Sequence, residues 1–189
     1  YAPHAAERAA LVREVFDGSN NYMKSGYELR KVINQLNGFD YNNSADRHLL
    51  GSVYESVLVE LRDAGNKGEY YTPRAITQLM TQMTAPTLGE KVLDPAAGTG
   101  GFLTAAIDYV REQHVRTLDD ETRLQNSMTG WELKPVSFVL GLTNLILHGL
   151  DVPDWHYRDS LKIEYNGITP KQQVEVILAN PPFGASIAD

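Results

Sequence analysis

Four short segments of the chain hold residue types that do chemistry in combination. The first is Asp94-Pro95-Ala96-Ala97-Gly98-Thr99-Gly100-Gly101-Phe102. Glycines between a strand and a helix let backbone N–H groups approach a ligand with no Cβ in the way, and the helix N-terminus beyond them favours negative charge. Gly98-Thr99-Gly100-Gly101 departs from the G-x-G-x-x-G dinucleotide spacing, and an acidic residue ahead of the turn repels a pyrophosphate. Asp94 suits instead a ligand that carries an ammonium group. Taken alone, such a glycine cluster is more simply a tight turn. The second segment centres on Glu132, whose carboxylate can accept both hydroxyls of a ribose. Alone, a Glu that opens a helix is more often a partner of the helix dipole. The third is Asp159-Ser160, where a carboxylate can accept from an adenine amino group or simply cap a turn. The fourth is Asn180-Pro181-Pro182-Phe183. Its two prolines fix the backbone and remove two N–H donors. The Asn180 side-chain oxygen and the Pro181 carbonyl are left as acceptors beside an aromatic face, a site for an N–H₂ group on a flat ring.

Each segment needs a strand end or a helix start to hold it. Lys91-Val92-Leu93-Asp94 reads as a strand, followed by the glycine turn and a helix from about 101 to 113. Thr129-Gly130-Trp131-Glu132 reads as a second strand, leading to a helix from about 135 to 148 that is apolar almost all round and should be buried. Trp155-His156-Tyr157-Arg158 and Val174-Glu175-Val176-Ile177-Leu178-Ala179 read as two more strands. This alternation predicts a parallel sheet flanked by helices, with ligands at the carboxyl ends of the strands. Residues 1–64 read as helical: one helix from about 5 to 16, a second from about 21 to 36, and a third from Ser44. The third carries Leu49, Leu50, Val53, Val57, Leu58 and Leu61 at helical spacing. Gly65-Asn66-Lys67-Gly68 marks the boundary to an α/β domain over 65–189. Thr72 and Pro73 then read as N-cap and first residue of a helix whose apolar face is Ile76, Leu79, Met80 and Met83.

With 189 residues and 42% apolar content the chain can bury a core. It has no cysteine, which excludes disulfides, Cys-ligated zinc and a thiol nucleophile, and its five His show no metalloprotease spacing. No apolar run is long enough for a membrane span and nothing at the start reads as a signal peptide, so no membrane partner and a cytoplasmic location are expected. Tyr1 in place of Met, and a stop a few residues after the Pro-Pro turn, read as cuts within a longer polypeptide. Seventeen Lys and Arg against twenty-four Asp and Glu leave a net charge of −7. Such a chain captures nucleic acid poorly by itself.

The ordered set from Asp94 to Phe102, then Glu132, Asp159 and Asn180-Pro181-Pro182-Phe183, resembles the S-adenosylmethionine-dependent adenine-N6 DNA methyltransferases. Gly68-Glu69-Tyr70-Tyr71-Thr72-Pro73-Arg74 resembles their motif X, and its place ahead of the glycine turn matches the γ-class order. Together with Leu147-His148-Gly149, the set is most similar to the modification subunit of type I restriction-modification systems. The resemblance implies a Rossmann-like methyltransferase sheet preceded by a helical N-terminal region, with S-adenosyl-L-methionine as cofactor. It implies that Asp94 faces the methionine ammonium and that Ala96, Gly98, Thr99, Gly100, Gly101 and Phe102 line the cofactor. Glu132 then holds the ribose, Asp159 the cofactor adenine, and Glu69, Tyr70 and Thr72 the methionine end. Asn180, Pro181, Pro182 and Phe183 form the catalytic tetrapeptide for an adenine flipped out of double-stranded DNA. Implied partners are specificity and restriction subunits and a second copy of the chain. The sheet of that family continues past the tetrapeptide, so a sheet truncated after its fourth strand is expected here. Asn-Pro-Pro followed by an aromatic also serves protein glutamine-N5 and DNA cytosine-N4 methyltransferases. A cofactor-binding module inactive without partner subunits is a further alternative.

Overall fold

The computed structural model describes residues 22–38, 72–163 and 168–182, with single helical positions at 6, 9, 10 and 13 and at 50, 51, 53, 54, 56, 58 and 60. The turn at 65–68, Glu69, Tyr70 and Phe183 lie outside the described residues, as does Ser44. Helix α1 (Gly26–Leu36) begins later than the expected start near 21. Ser25 has extended backbone and accepts the Glu28 N–H, so the capping serine sets the start. The Tyr54 hydroxyl donates to the Leu140 carbonyl at 2.6 Å and Leu58 is buried. The 50–60 segment is thereby held against the body of the α/β unit, and burial pushes the Tyr54 hydroxyl up to about 12.

Helix α2 (Arg74–Thr84) is rotated from the expected orientation. Its N-cap is Pro73, with no side-chain cap, so Thr72 is not the capping residue. Thr77 and Thr81 are its buried residues; of the expected face Met80 packs partly buried against the core, whereas Ile76, Leu79 and Met83 are exposed, Met83 by 77%. The small threonine face allows close packing: a Cβ on Gly101 would lie 3.7 Å from the Thr77 methyl. Thr77 satisfies its own hydroxyl on the Arg74 carbonyl at 3.0 Å.

Strand β1 (Val92–Asp94), helix α3 (Gly101–His114), helix α4 (Leu118–Gln125), strand β2 (Met128–Glu132), helix α5 (Pro135–Leu147), strand β3 (Asp154–Tyr157) and strand β4 (Val176–Ile177) follow. Helix α4 has no counterpart in the sequence reading, although its signal is local. Thr117 and Asp120 form a capping box, and Asp119, Asp120 and Glu121 fill the first turn. The four strands form one parallel sheet in the order β3-β2-β1-β4. Strand β4 pairs only through Val176 and Ile177, shorter than its β-branched run. Its outer side has no paired strand among the described residues, and Ile177 is exposed.

The core lies between the sheet and helices α3 to α5. Val92, Leu103, Ile107, Leu124, Met128, Leu145, Leu150 and Leu178 are fully buried, each contributing about 1.5–3 kcal/mol of transfer free energy. Helix α5 is buried along one face only, through Phe138, Gly141, Leu142, Asn144 and Leu145. Val136 and Ile146 point outward. Trp155 on β3 fills the space above Gly130 and Gly141, where added Cβ atoms would fall 2.2 and 2.4 Å from its ring. The Leu147-His148-Gly149 turn is clamped from outside. Arg111 donates to the His148 carbonyl at 2.8 Å and pairs with Glu121 at 2.9 Å, and Gln125 donates to the Gly149 carbonyl at 2.7 Å. No described helix is long and apolar enough to cross a membrane.

Candidate active site at the strand ends

Strand β1 has β2 on one side and β4 on the other, so the chain changes direction across the sheet at β1 and β4. Ligands of open α/β sheets bind in the crevice outside such a switch point. The register Asp94↔Gly130 places Glu132 two residues past the Asp94 level. The Leu178 N–H donates to the Leu93 carbonyl at 3.0 Å, so Asn180 emerges beside the same turn.

After Asp94 the backbone folds over β2. The Ala97 N–H donates to the Trp131 carbonyl at 3.0 Å and the Gly100 N–H to the Ala97 carbonyl at 2.7 Å. Gly98 and Gly100 take φ of 55° and 80°, a left-handed backbone that favours glycine. Gly100 serves as N-cap of α3. Asp94 is buried, and its Oδ1 accepts the Ala96 N–H at 3.1 Å. Loss of solvent pushes the Asp94 carboxyl up to about 7; the Ala96 N–H opposes the shift and the negative charge of Glu132 adds to it.

Glu132 ties the turn to the next helix. Its Oε2 accepts the Gly98 N–H at 2.7 Å, and its Oε1 accepts the Leu133 and Lys134 N–H groups at 2.8 and 2.7 Å. A carboxylate offers roughly four lone-pair positions. To accept two ribose hydroxyls, Glu132 would release at least one of these N–H groups. Asn144 supports the turn from α5, its Nδ2 donating to the Thr99 carbonyl at 2.9 Å. Its Oδ1 is buried, with no hydrogen-bond partner among the described residues. In the sequence, the only mark of Asn144 is a lone amide in a largely apolar stretch of α5.

The turn after β3 docks on the same loop, with Ser160 Oγ donating to the Pro95 carbonyl. Asp159 stands one residue earlier, and its Oδ1 accepts the Leu161 N–H at 3.0 Å. The Arg158 guanidinium lies 4.6 Å from the centre of the Trp131 ring, a cation–π contact at the mouth of the sheet. Asn180 Nδ2 donates to Thr72 Oγ1 at 3.2 Å. Thr72, Asp94, Ala96, Ala97, Thr99, Gly101, Phe102 and Asn180 line a hollow of about 20 Å³. A larger polar cavity of about 180 Å³ between α2 and α3 shares Thr72, Thr99 and Gly101 with it. The described site residues from all four segments thus gather along one edge of the sheet. Pro181 and Pro182 lie exposed beside Asn180.

The donor set fits a ligand with a cationic amine. Among the described residues Asp94 accepts a single hydrogen bond, and a nearby positive charge is what returns a buried carboxyl to its ionised form. The hollow is far smaller than an enclosed pocket for a drug-sized ligand, about 300–1,000 Å³. A nucleoside-sized ligand would therefore lie across the strand ends, partly open to solvent.

An open parallel sheet that gathers an acidic glycine turn, a second carboxylate and an Asn-Pro-Pro segment at its strand ends defines a Rossmann-like α/β protein with a ligand site at the switch point. The N-6 DNA Methylase family matches residues 45–189, and the chain belongs to that family. It is 43% identical over 188 residues to the type I restriction enzyme EcoEI methylase subunit of Escherichia coli, covering 96% of this chain and 37% of that one. The EcoKI methylase subunit of Escherichia coli K12 is 28% identical, with 93% and 36% covered. A crystal structure described as a modification subunit of a type I restriction enzyme from Vibrio vulnificus superposes with a TM-score of 0.82 at 43% identity, covering 94% of this chain and 37% of that chain. The chain thus has the methyltransferase fold and spans just over a third of the length of these relatives.

Proposed function

We propose that the chain carries the catalytic site of an adenine-N6 DNA methyltransferase that works as the modification subunit of a type I restriction-modification system, with S-adenosyl-L-methionine as methyl donor. Its partners in this reading are double-stranded DNA and the specificity and restriction subunits, with a second copy of the chain. The helical N-terminal region over 1–64 and the catalytic domain over 65–189 are the domains of the same reading. The observation that carries it is the position of Asn180: beside the glycine turn, in the same hollow as the buried Asp94.

An adenine amino nitrogen is a weak nucleophile because its lone pair is delocalised into the ring. Asn180 Oδ1 and the Pro181 carbonyl can each accept a hydrogen bond from one of its two N–H groups, localising the lone pair and aiming it at the methyl group. One of these protons is lost to solvent as the methyl is gained. Such catalysis rests on positioning and preorganised dipoles rather than on a strong base. The bound donor supplies an electrophilic methyl on a sulfonium. Asp94 holds its ammonium, Gly98 and Gly100 let the backbone come close, Glu132 meets the ribose and Asp159 the adenine of the donor. Phe183 stacks on the flipped target base. The net charge of −7 supports a subunit that receives DNA with the help of basic partners.

Asn180→Ala in the assembled protein should lower methyl transfer by about 10²–10³, by analogy with the loss of one oxyanion-hole donor, while donor binding persists. Transfer from labelled donor to adenine in DNA, measured with calorimetry of donor binding, tests this. Undiminished transfer by the variant, or labelling of protein glutamine or of cytosine in place of adenine, would overturn it.

A further inference from the structure

The hydrogen bond between Asn180 and Thr72 joins residues 108 positions apart, and it bears on a problem inherent in a carboxamide. The two ends of the group are opposite in function: the oxygen accepts, whereas the nitrogen carries two donors. Only the oxygen end can accept from the N–H groups of the target amine. A carboxamide turned the other way presents N–H to N–H₂. The torsion that exchanges the two ends is broad and weakly restrained in an isolated side chain, so something in the site must choose.

Thr72 is placed to make that choice. Its hydroxyl is not committed to capping α2, whose N-cap is Pro73 without a side-chain bond. Thr72 is half-buried and lines the hollow that holds Asp94 and Asn180. It is β-branched and therefore stiff at χ1. Pro73, with φ of −54°, fixes the backbone directly after Thr72, as Pro181 does after Asn180. Two side chains on proline-restrained backbone, far apart in sequence, thus meet through Asn180 Nδ2 and Thr72 Oγ1 at 3.2 Å. With the nitrogen end engaged, Oδ1 is the end left for another group.

We infer that Thr72 is a positioning residue for methyl transfer: its hydroxyl accepts from the Asn180 carboxamide N–H and so presents the carboxamide oxygen, with the neighbouring Pro181 carbonyl, to the target amino group. The inference rests on the function proposed above and gives Thr72 a role distinct from contact with the methyl donor.

The test uses the intact protein assembled with the subunits its activity requires, in single-turnover methylation of DNA together with titration of donor binding. Thr72→Val, nearly isosteric without a hydroxyl, should slow methyl transfer about 10–100-fold, the scale on which small misplacements of a reacting group act. Donor and DNA affinities should stay within about twofold. Thr72→Ser should restore most of the rate. In an Asn180→Asp background both ends of the side chain accept, so Thr72→Val should cause no further loss there. This pairing also serves if Thr72→Val alone folds poorly, because a folding defect would persist in the double variant. Three results overturn the inference while leaving the proposed function intact: an active wild type with Thr72→Val equally fast, a rate loss matched by an equal loss of donor affinity, or Thr72→Ser as slow as Thr72→Val. A wild-type assembly that binds the donor and never methylates adenine removes the proposed function, and this inference with it.

Discussion

Replacing Asp94 with Asn tests the electrostatic centre of the site. The Asp94 side chain is 1% exposed and accepts the Ala96 N–H at 3.1 Å. Loss of solvent, with Glu132 adding its charge, brings its carboxyl to about 7 from the ordinary 3.8. In the unfolded chain the same group loses its proton near the ordinary value. Between the two values the folded state binds the extra proton. Stability is therefore highest below the unfolded value, falls as pH rises, and levels off above the folded one. The two values differ by about three pH units. At about 1.4 kcal/mol per unit, the ligand-free protein loses about 4 kcal/mol from this group across that window, out of a typical total of about 5–15 kcal/mol. Asp94→Asn keeps an acceptor for Ala96 N–H and removes the titration. Its buried NH₂ costs about 1–3 kcal/mol if unpaired, so the slope with pH is the diagnostic quantity and not the offset. Urea unfolding followed by tryptophan fluorescence from pH 4 to 8 should show wild-type stability falling steeply and the variant nearly flat. Parallel curves would refute the reasoning. An amine-bearing ligand that holds Asp94 ionised should flatten the wild-type curve and release a proton on binding near pH 6.

Gly141→Ala should destabilise the fold and disturb the glycine turn, because its Cβ would lie 2.4 Å from Trp155 and 2.9 Å from the Gly98 carbonyl. A cost of about 1–3 kcal/mol is expected, read as a lowered Tm in thermal unfolding. Glu132→Gln keeps one acceptor where three N–H groups converge. It sets an NH₂ against Gly98 or the start of α5. Donor affinity, measured by calorimetry, should fall about tenfold or more, and the Asp94 titration should move down with the loss of the neighbouring charge.

Much of this architecture is legible in local sequence. Val92 to Asp94 carry a buried strand and Met128 to Glu132 a partly buried one, and the glycines after Asp94 mark the turn, because strand pattern and left-handed backbone are set by residues close together. Helix α4 was equally local, written in Thr117 and Asp120. The orientation of α2 was not, because Ile76, Leu79 and Met83 form an amphipathic stripe that predicts burial while the helix turns its threonines inward. The choice followed from how closely α3 approaches at Gly101, which periodicity does not contain. Asn144 is not legible locally for a similar reason, since its role lies in the Thr99 carbonyl 45 residues away.

The sequence by itself determined the chemistry available: which carboxylates, which amide, which glycines, and their order along the chain. Tertiary structure decided how these groups spend their hydrogen bonds. Parallel pairing of β1 with both β2 and β4 brought Asp94, Glu132 and Asn180 to one edge. Burial moved the Asp94 carboxyl, Glu132 became the clamp of the glycine turn, and the Thr72 hydroxyl went to Asn180 in place of a helix cap. Hydrogen bonds and desolvation depend on neighbours in space, and those neighbours exist only once the strands have found their register.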